Sequence, residues 1–254
     1  MNINETDKDV VLNALNDLKK GSMAMMIAQI LSLILTVILV ATIFPLIYMY
    51  LTAATAPSIQ IIPSRGLIAV VIITTGIFGL ASLIFTIYGI YLKFIPGSSK
   101  LKKWRDEFST PSTLMKIGYI GGLILIVIGI VVMIILAIML LPSIGRGAFS
   151  TPMNLLRFLA PLFGGLAITM IGGLLWLIGV IGMMILLFKL NSIFSETLLL
   201  VAAIIFIITI ISGFLAAIPF IGIFISIAAS LLPLIAWILV YIGIGNIIKR
   251  LSAT

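Results

Sequence analysis

Catalysis needs side chains that move protons, ligate metals or attack electrophiles, and this chain offers few. Its 254 residues include no Cys and no His. Thiolate nucleophiles, disulfides, zinc or haem held by Cys or His, and imidazole acid–base chemistry are therefore excluded. The carboxylates are seven in all: Glu5, Asp7, Asp9 and Asp17 near the start, Asp106 and Glu107 within a basic stretch, and Glu196 in a short polar segment. Asp106, Glu107 and Glu196 lie among cations and are expected to be solvated or paired charges. The sequence thus supplies no catalytic, cofactor-binding or metal-ligating candidates, and no enzymatic activity is expected.

The long apolar runs are equally poor in chemistry. They hold no Asp, Glu, Lys, Arg or His, and their polar complement is Gln29 with hydroxyls such as Ser32, Thr36, Thr42, Ser82, Thr86, Thr169, Thr209, Ser226 and Ser230. Serine and threonine inside a helix can bond back to a carbonyl one turn away, so they need no partner elsewhere. Gln29 is different, because an amide in hydrocarbon wants a partner. Proton-coupled transport, voltage sensing and intramembrane proteolysis need ionisable groups at depth and are disfavoured.

The elements that carry these residues follow from composition. The chain is 63% hydrophobic and 9% charged, with a mean hydropathy of +1.40. A soluble domain carries roughly 25% charged residues, so the solvent of this surface has to be a bilayer. A helix of roughly 20 apolar residues crosses its hydrocarbon core. Only helices and closed barrels satisfy the backbone there, and barrel strands alternate apolar with polar residues. These runs are continuously apolar. The expected fold is all-α, a polytopic transmembrane helix bundle of about six spans at 23–50, 67–92, 117–141, 159–188, 198–215 and 223–248, which together form one domain over 23–248. Residues 1–22 are expected to be an amphipathic juxtamembrane helix, N-capped at Thr6 and ended by Gly21, with Val11, Leu15 and Leu18 on its apolar face. This face lies on the membrane or docks a partner. The start is acidic and amphipathic, unlike a cleaved signal. Residues 249–254 form a tail.

Net charge is +8, and the cations sit at the ends of the apolar runs. Twelve of the fifteen fall on the side of the two termini, and the other side holds Arg65, Arg146 and Arg157. The positive-inside rule then places both termini in the cytoplasm of a multi-pass cell-membrane protein. It also explains the charge without nucleic acid. The three arginines leave the outer face with no group titrating between about pH 2 and 7, which suits an acidic exterior.

The basic loop at 93–116 holds Lys93, Lys100, Lys102, Lys103, Arg105 and Lys116, with Pro96 and Gly97 at its start. Leu101, Trp104 and Phe108 recur there at helical spacing. The pattern predicts a short helix in the interface, apolar side down, with Lys100, Lys102, Lys103, Trp104 and Arg105 at the lipid headgroups. A partner-binding loop is the alternative. Small residues four apart mark helix-packing candidates: Gly118 and Gly122, then Gly222, Ser226 and Ser230. Glycines 172, 173, 179 and 182 line the fourth span, and Trp176 at mid-depth should face protein, because its indole N–H needs an acceptor. Phe108-Ser109-Thr110-Pro111 is echoed by Phe149-Ser150-Thr151-Pro152, each reading as a Thr N-cap followed by Pro at the first helical position.

Tyr88-Gly89-Ile90-Tyr91, the Trp104 segment closing in Ser109-Thr110-Pro111, and the stretch from Trp237 to Arg250 resemble an uncharacterised family of multispanning membrane proteins of thermoacidophilic archaea. The resemblance implies a membrane setting and an acidic exterior, and it brings no site residues. Two functions remain. The first is an accessory or scaffolding subunit whose partners are membrane lipids and other subunits or a second copy, with no nucleic acid and no cofactor. The second is a transporter or channel for a neutral or lipophilic solute.

Overall fold

The computed structural model describes the backbone of residues 5–53, 65–144, 152–215 and 221–253, and side chains chiefly over 7–42, 73–135, 163–215 and 230–253. All described secondary structure is helical. Helix α1 is Glu5–Ala53 and α2 is Arg65–Ile87; a π-helical turn, Tyr88–Phe94, joins α2 to α3, Ile95–Trp104. A 3₁₀ turn at Asp106–Phe108 leads into α4, Ser109–Met115, and a second π-helical turn, Lys116–Ile120, joins α4 to α5, Gly121–Ile144. Then come α6, Pro152–Phe194, α7, Thr197–Leu215, and α8, Ile221–Ala253. Six helical stretches are long and apolar enough to cross a bilayer. The fold is an all-α polytopic transmembrane bundle.

Three expectations are corrected. First, α1 runs for 49 residues without a break at Gly21. A mid-helix glycine costs about 1 kcal/mol of propensity, and here it serves a close approach. A Cβ at Gly21 would lie 2.5 Å from the Phe94 ring and 3.0 Å from the Gly89 carbonyl oxygen. Second, the basic loop is helical nearly throughout. Pro96 lacks the N–H that an α-helix needs, yet the chain carries through it. The preceding π turn shifts the ladder, so that the Ile95 N–H donates to the Ile90 carbonyl. Only Arg105 adopts an extended conformation, with φ −143° and ψ 134°. Third, Thr110 is not an N-cap: α4 is capped by Phe108, and Pro111 sits in its first turn, where the missing N–H has no partner to lose. The echoing segment 149–151 lies outside the described residues.

The chain divides into two compact units, one of residues 1–100 and 190–254, the other of 101–189. In the first, α1 packs on α2, its π turn and α8, and α8 packs on α7. Val11, Ala14, Leu15, Leu18, Ala202, Ala203, Ala236, Val240 and Ile244 are wholly buried. Phe94 and Phe206 both meet Trp237 edge-on with ring centroids 5.1 Å apart. These residues gather toward the end that holds both termini, called the basic end below. Farther along α1, Ile34, Val37 and Val40 are exposed, as lipid-facing residues are.

The second unit is built on an antiparallel glycine seam. Gly118, Gly122 and Gly129 face Gly179, Gly172 and Gly165. A Cβ at Gly122 would lie 2.8 Å from the Gly172 carbonyl oxygen and 2.8 Å from the Trp176 nitrogen. Without hydrophobic driving force in lipid, close backbone approach supplies the packing energy. Trp176 is half-buried, and its ring meets Tyr119 edge-on at 5.1 Å.

Candidate functional site at the basic end

The polar chemistry of the first unit gathers around Asp17. Leu18 and Ala14, its neighbours on α1, press on α3 where Gly97 leaves room: a Cβ there would lie 3.0 Å from Leu18 and 3.1 Å from the Ala14 carbonyl oxygen. This contact brings Asp17 against the lysine-bearing face of the π turn and α3. Its Oδ1 accepts from Lys93 Nζ at 3.2 Å and its Oδ2 from Lys100 Nζ at 2.5 Å. Burial pushes the Asp17 carboxyl up, but hydrogen bonds and charge attraction from Lys100 and Lys93 outweigh it and hold the pKa below 3.8. The Lys93 ammonium also lies 5.7 Å from the Tyr88 ring, and Lys19 stands 5.1 Å over Tyr241 of α8.

A second cluster ties the α6–α7 turn to α8. Ser195 takes a positive φ of 52°, and its N–H donates to the Asn191 carbonyl at 2.7 Å, ending α6. The turn presents Glu196, which accepts from Asn246 Nδ2 at 3.2 Å and from Arg250 Nη2 at 2.6 Å. Glu196, Asn246, Lys249 and Arg250 line a shallow, open recess. Each carboxylate is consumed by cations, and no group of three or more His, Cys, Asp or Glu is placed to hold a metal among the described residues.

The predicted residues distribute unevenly. Lys100 pairs with Asp17, whereas Lys102, Lys103 and Arg105 are exposed at the α3–α4 turn. Leu101 and Phe108, expected to point into lipid, are fully buried in the protein. Trp104 is half-buried and stacks on Phe108 with centroids 6.0 Å apart, and the Arg105 guanidinium lies 4.7 Å from the Trp104 ring. The expected interfacial helix therefore has no free apolar face to lay on the membrane. Gly118 and Gly122 meet α6 backbone to backbone. Ser230 borders a cavity between α1 and α8. Gly222 and Ser226 lie in α8 outside the residues whose side chains are described. The Asp17 and Glu196 pairings were not legible in the sequence, since their partners stand 50 or more residues away.

Residues 11–254 match the family described as "Protein of unknown function (DUF973)". The chain belongs to that family. No curated protein and no solved structure matches it. The match covers nearly the whole chain, including both charged clusters, the glycine seam and all six candidate spans.

Proposed function

We propose that this protein is a non-enzymatic accessory or scaffolding subunit of a membrane assembly, multi-pass in the cell membrane with the basic end in the cytoplasm. The observation that carries the reading is that the groove of about 370 Å³ between α1 and α8, lined by Leu33, Thr36, Val37, Val40, Ala41, Ser230 and Leu231, is apolar and opens outward through the exposed Val37, Val40 and Leu231. A path for water or a polar solute is lined by polar groups where helices break. Here the Thr36 hydroxyl is engaged with the Ser32 carbonyl of its own helix at 2.9 Å, and Thr42, Thr86, Thr169 and Thr209 are engaged in the same way. Pro233 lies inside α8 without ending it. These are the marks of helices made to pack. Lipids and other membrane subunits, or a second copy, are the partners, and nucleic acid is not. In the topology read from the charge distribution, the other side of the membrane receives Arg65, Arg146 and Arg157, which suits the acidic surroundings of a thermoacidophilic archaeon.

Isolation of tagged protein from its native membranes in mild detergent tests this. A stoichiometric membrane partner, or an oligomer of the 27.4 kDa chain, is the expected result. The apolar cavity favours one second reading, a carrier of lipophilic solute. Saturable flux of such a solute by the isolated chain in liposomes would replace the scaffold with it.

A further inference from the structure

We propose that the α3–α4 turn is a docking surface for an acidic segment of another protein, with Lys102, Lys103 and Arg105 supplying charge and Trp104 the apolar anchor. The proposal deepens the scaffolding reading and rests on it for the class of the partner.

Height above the membrane is the first argument. Lys116 is the last charge before the apolar run of α5, and Ile117 beyond it is 57% exposed, as a lipid-facing residue is. From Lys116 back to Asp106 the chain is helical, through the π turn, α4 and the 3₁₀ turn. At about 1.5 Å per residue this stretch lifts the turn roughly 15 Å past the hydrocarbon edge. Attraction to anionic headgroups decays within a Debye length of about 8 Å at physiological salt. The turn therefore stands clear of most of the lipid field.

The second argument is burial. A helix held on a membrane surface needs a free apolar face, and Leu101 and Phe108 are 0% exposed. What remains exposed is charge surrounding one half-buried indole. Arg105 meets Glu107 only at 4.0 Å, with their side chains 41% and 57% exposed, so this rim pair holds the guanidinium weakly. Tryptophan and arginine dominate the energetics of protein interfaces. Exposed Asp106 and Glu107 directly follow the cations. They would repel a phosphate backbone, whereas a protein partner can match both signs.

The test uses the full chain in nanodiscs of zwitterionic lipid, with a fluorescein-labelled peptide in which a run of glutamates is followed by a leucine and two lysines as probe and anisotropy as readout. Saturable binding that weakens with salt is expected. Lys102→Glu/Lys103→Glu/Arg105→Glu should weaken it at least tenfold, and Lys20→Glu, at an exposed position of α1, should leave it unchanged. All three positions are exposed, so the triple variant should elute as the parent does. Trp104→Ala, with the charges intact, should weaken binding several-fold, a loss that a mere polycation would not show. A spin label at Lys103→Cys should stay accessible to an aqueous nickel complex when phosphatidylglycerol is added. Equal binding by parent and triple variant, equal affinity for oligo-dT, or a label that sinks to headgroup depth would each overturn the proposal. Solute flux through the isolated protein would instead count against the scaffolding reading and leave the peptide result standing.

Discussion

Gly118 and Gly179 meet backbone against backbone: a Cβ on Gly118 would overlap the Gly179 nitrogen, lie 2.5 Å from its Cα and 2.8 Å from the Leu175 carbonyl oxygen. Atoms of two helix backbones cannot swing aside as a side-chain tip can. Gly118→Ala should therefore destabilise the protein by about 1–3 kcal/mol, the usual range for overpacking. Gly173→Ala is the control, since nothing lies within 4 Å of a Cβ there. Thermal unfolding in detergent should separate the two, and equal midpoints would contradict the seam.

Asp17→Asn leaves Lys93 and Lys100 facing each other without their shared counter-charge. The expected loss at neutral pH is about 1–2 kcal/mol, between the value of an exposed pair and that of a hydrogen bond to a charged group. Lys100 and Lys93 hold the folded carboxyl below its ordinary value, so its stabilisation is present above the unfolded value near 3.9 and disappears as pH falls through the lower folded value. The gap between parent and variant should stay level from about pH 8 to pH 5 and close in stronger acid. A gap that closes near neutrality would rule out the pairing.

Ser195 holds φ 52° at the end of α6 while its side chain is exposed. Glycine enters that conformation without steric cost, and a β-branched residue resists it. Ser195→Gly should be neutral or stabilising by up to about 1 kcal/mol, and Ser195→Val should destabilise. Because the turn presents Glu196 to Arg250, Ser195→Val should also loosen the α8 end, which proteolysis of the C-terminal residues would report.

Orientation is checked by labelling, made simple by the absence of native cysteine. Lys102→Cys, at an exposed position, should react with an impermeant thiol reagent only after the membrane is opened. Ser143→Cys should react in intact cells. The opposite pattern would invert the topology and put the docking surface outside.

The sequence by itself determined the class of fold. Continuous apolar runs leave helices as the only spanning structure here, and a chain without Cys or His has no thiolate or imidazole chemistry. Both follow from composition and one-dimensional spacing, which lipid reads directly. Six candidate spans were legible for that reason, as was the closeness available at Gly118 and Gly122. The tertiary structure decided where helices end and what they press on. Gly21 reads as a stop signal, yet the helix passes through it, because room for Gly89 and Phe94 is worth more there than a cap. Pro96 stands at the start of the basic loop in the sequence, yet a π turn carries the helix over it. Leu101 and Phe108 have the spacing of a lipid-facing stripe, yet they are buried in protein. Spacing says that a face is apolar, and only the packed chain says what covers it. Asp17 shows the same limit for charge: a carboxylate on α1 finds its lysines 76 and 83 residues later, a distance at which no local pattern carries a signal.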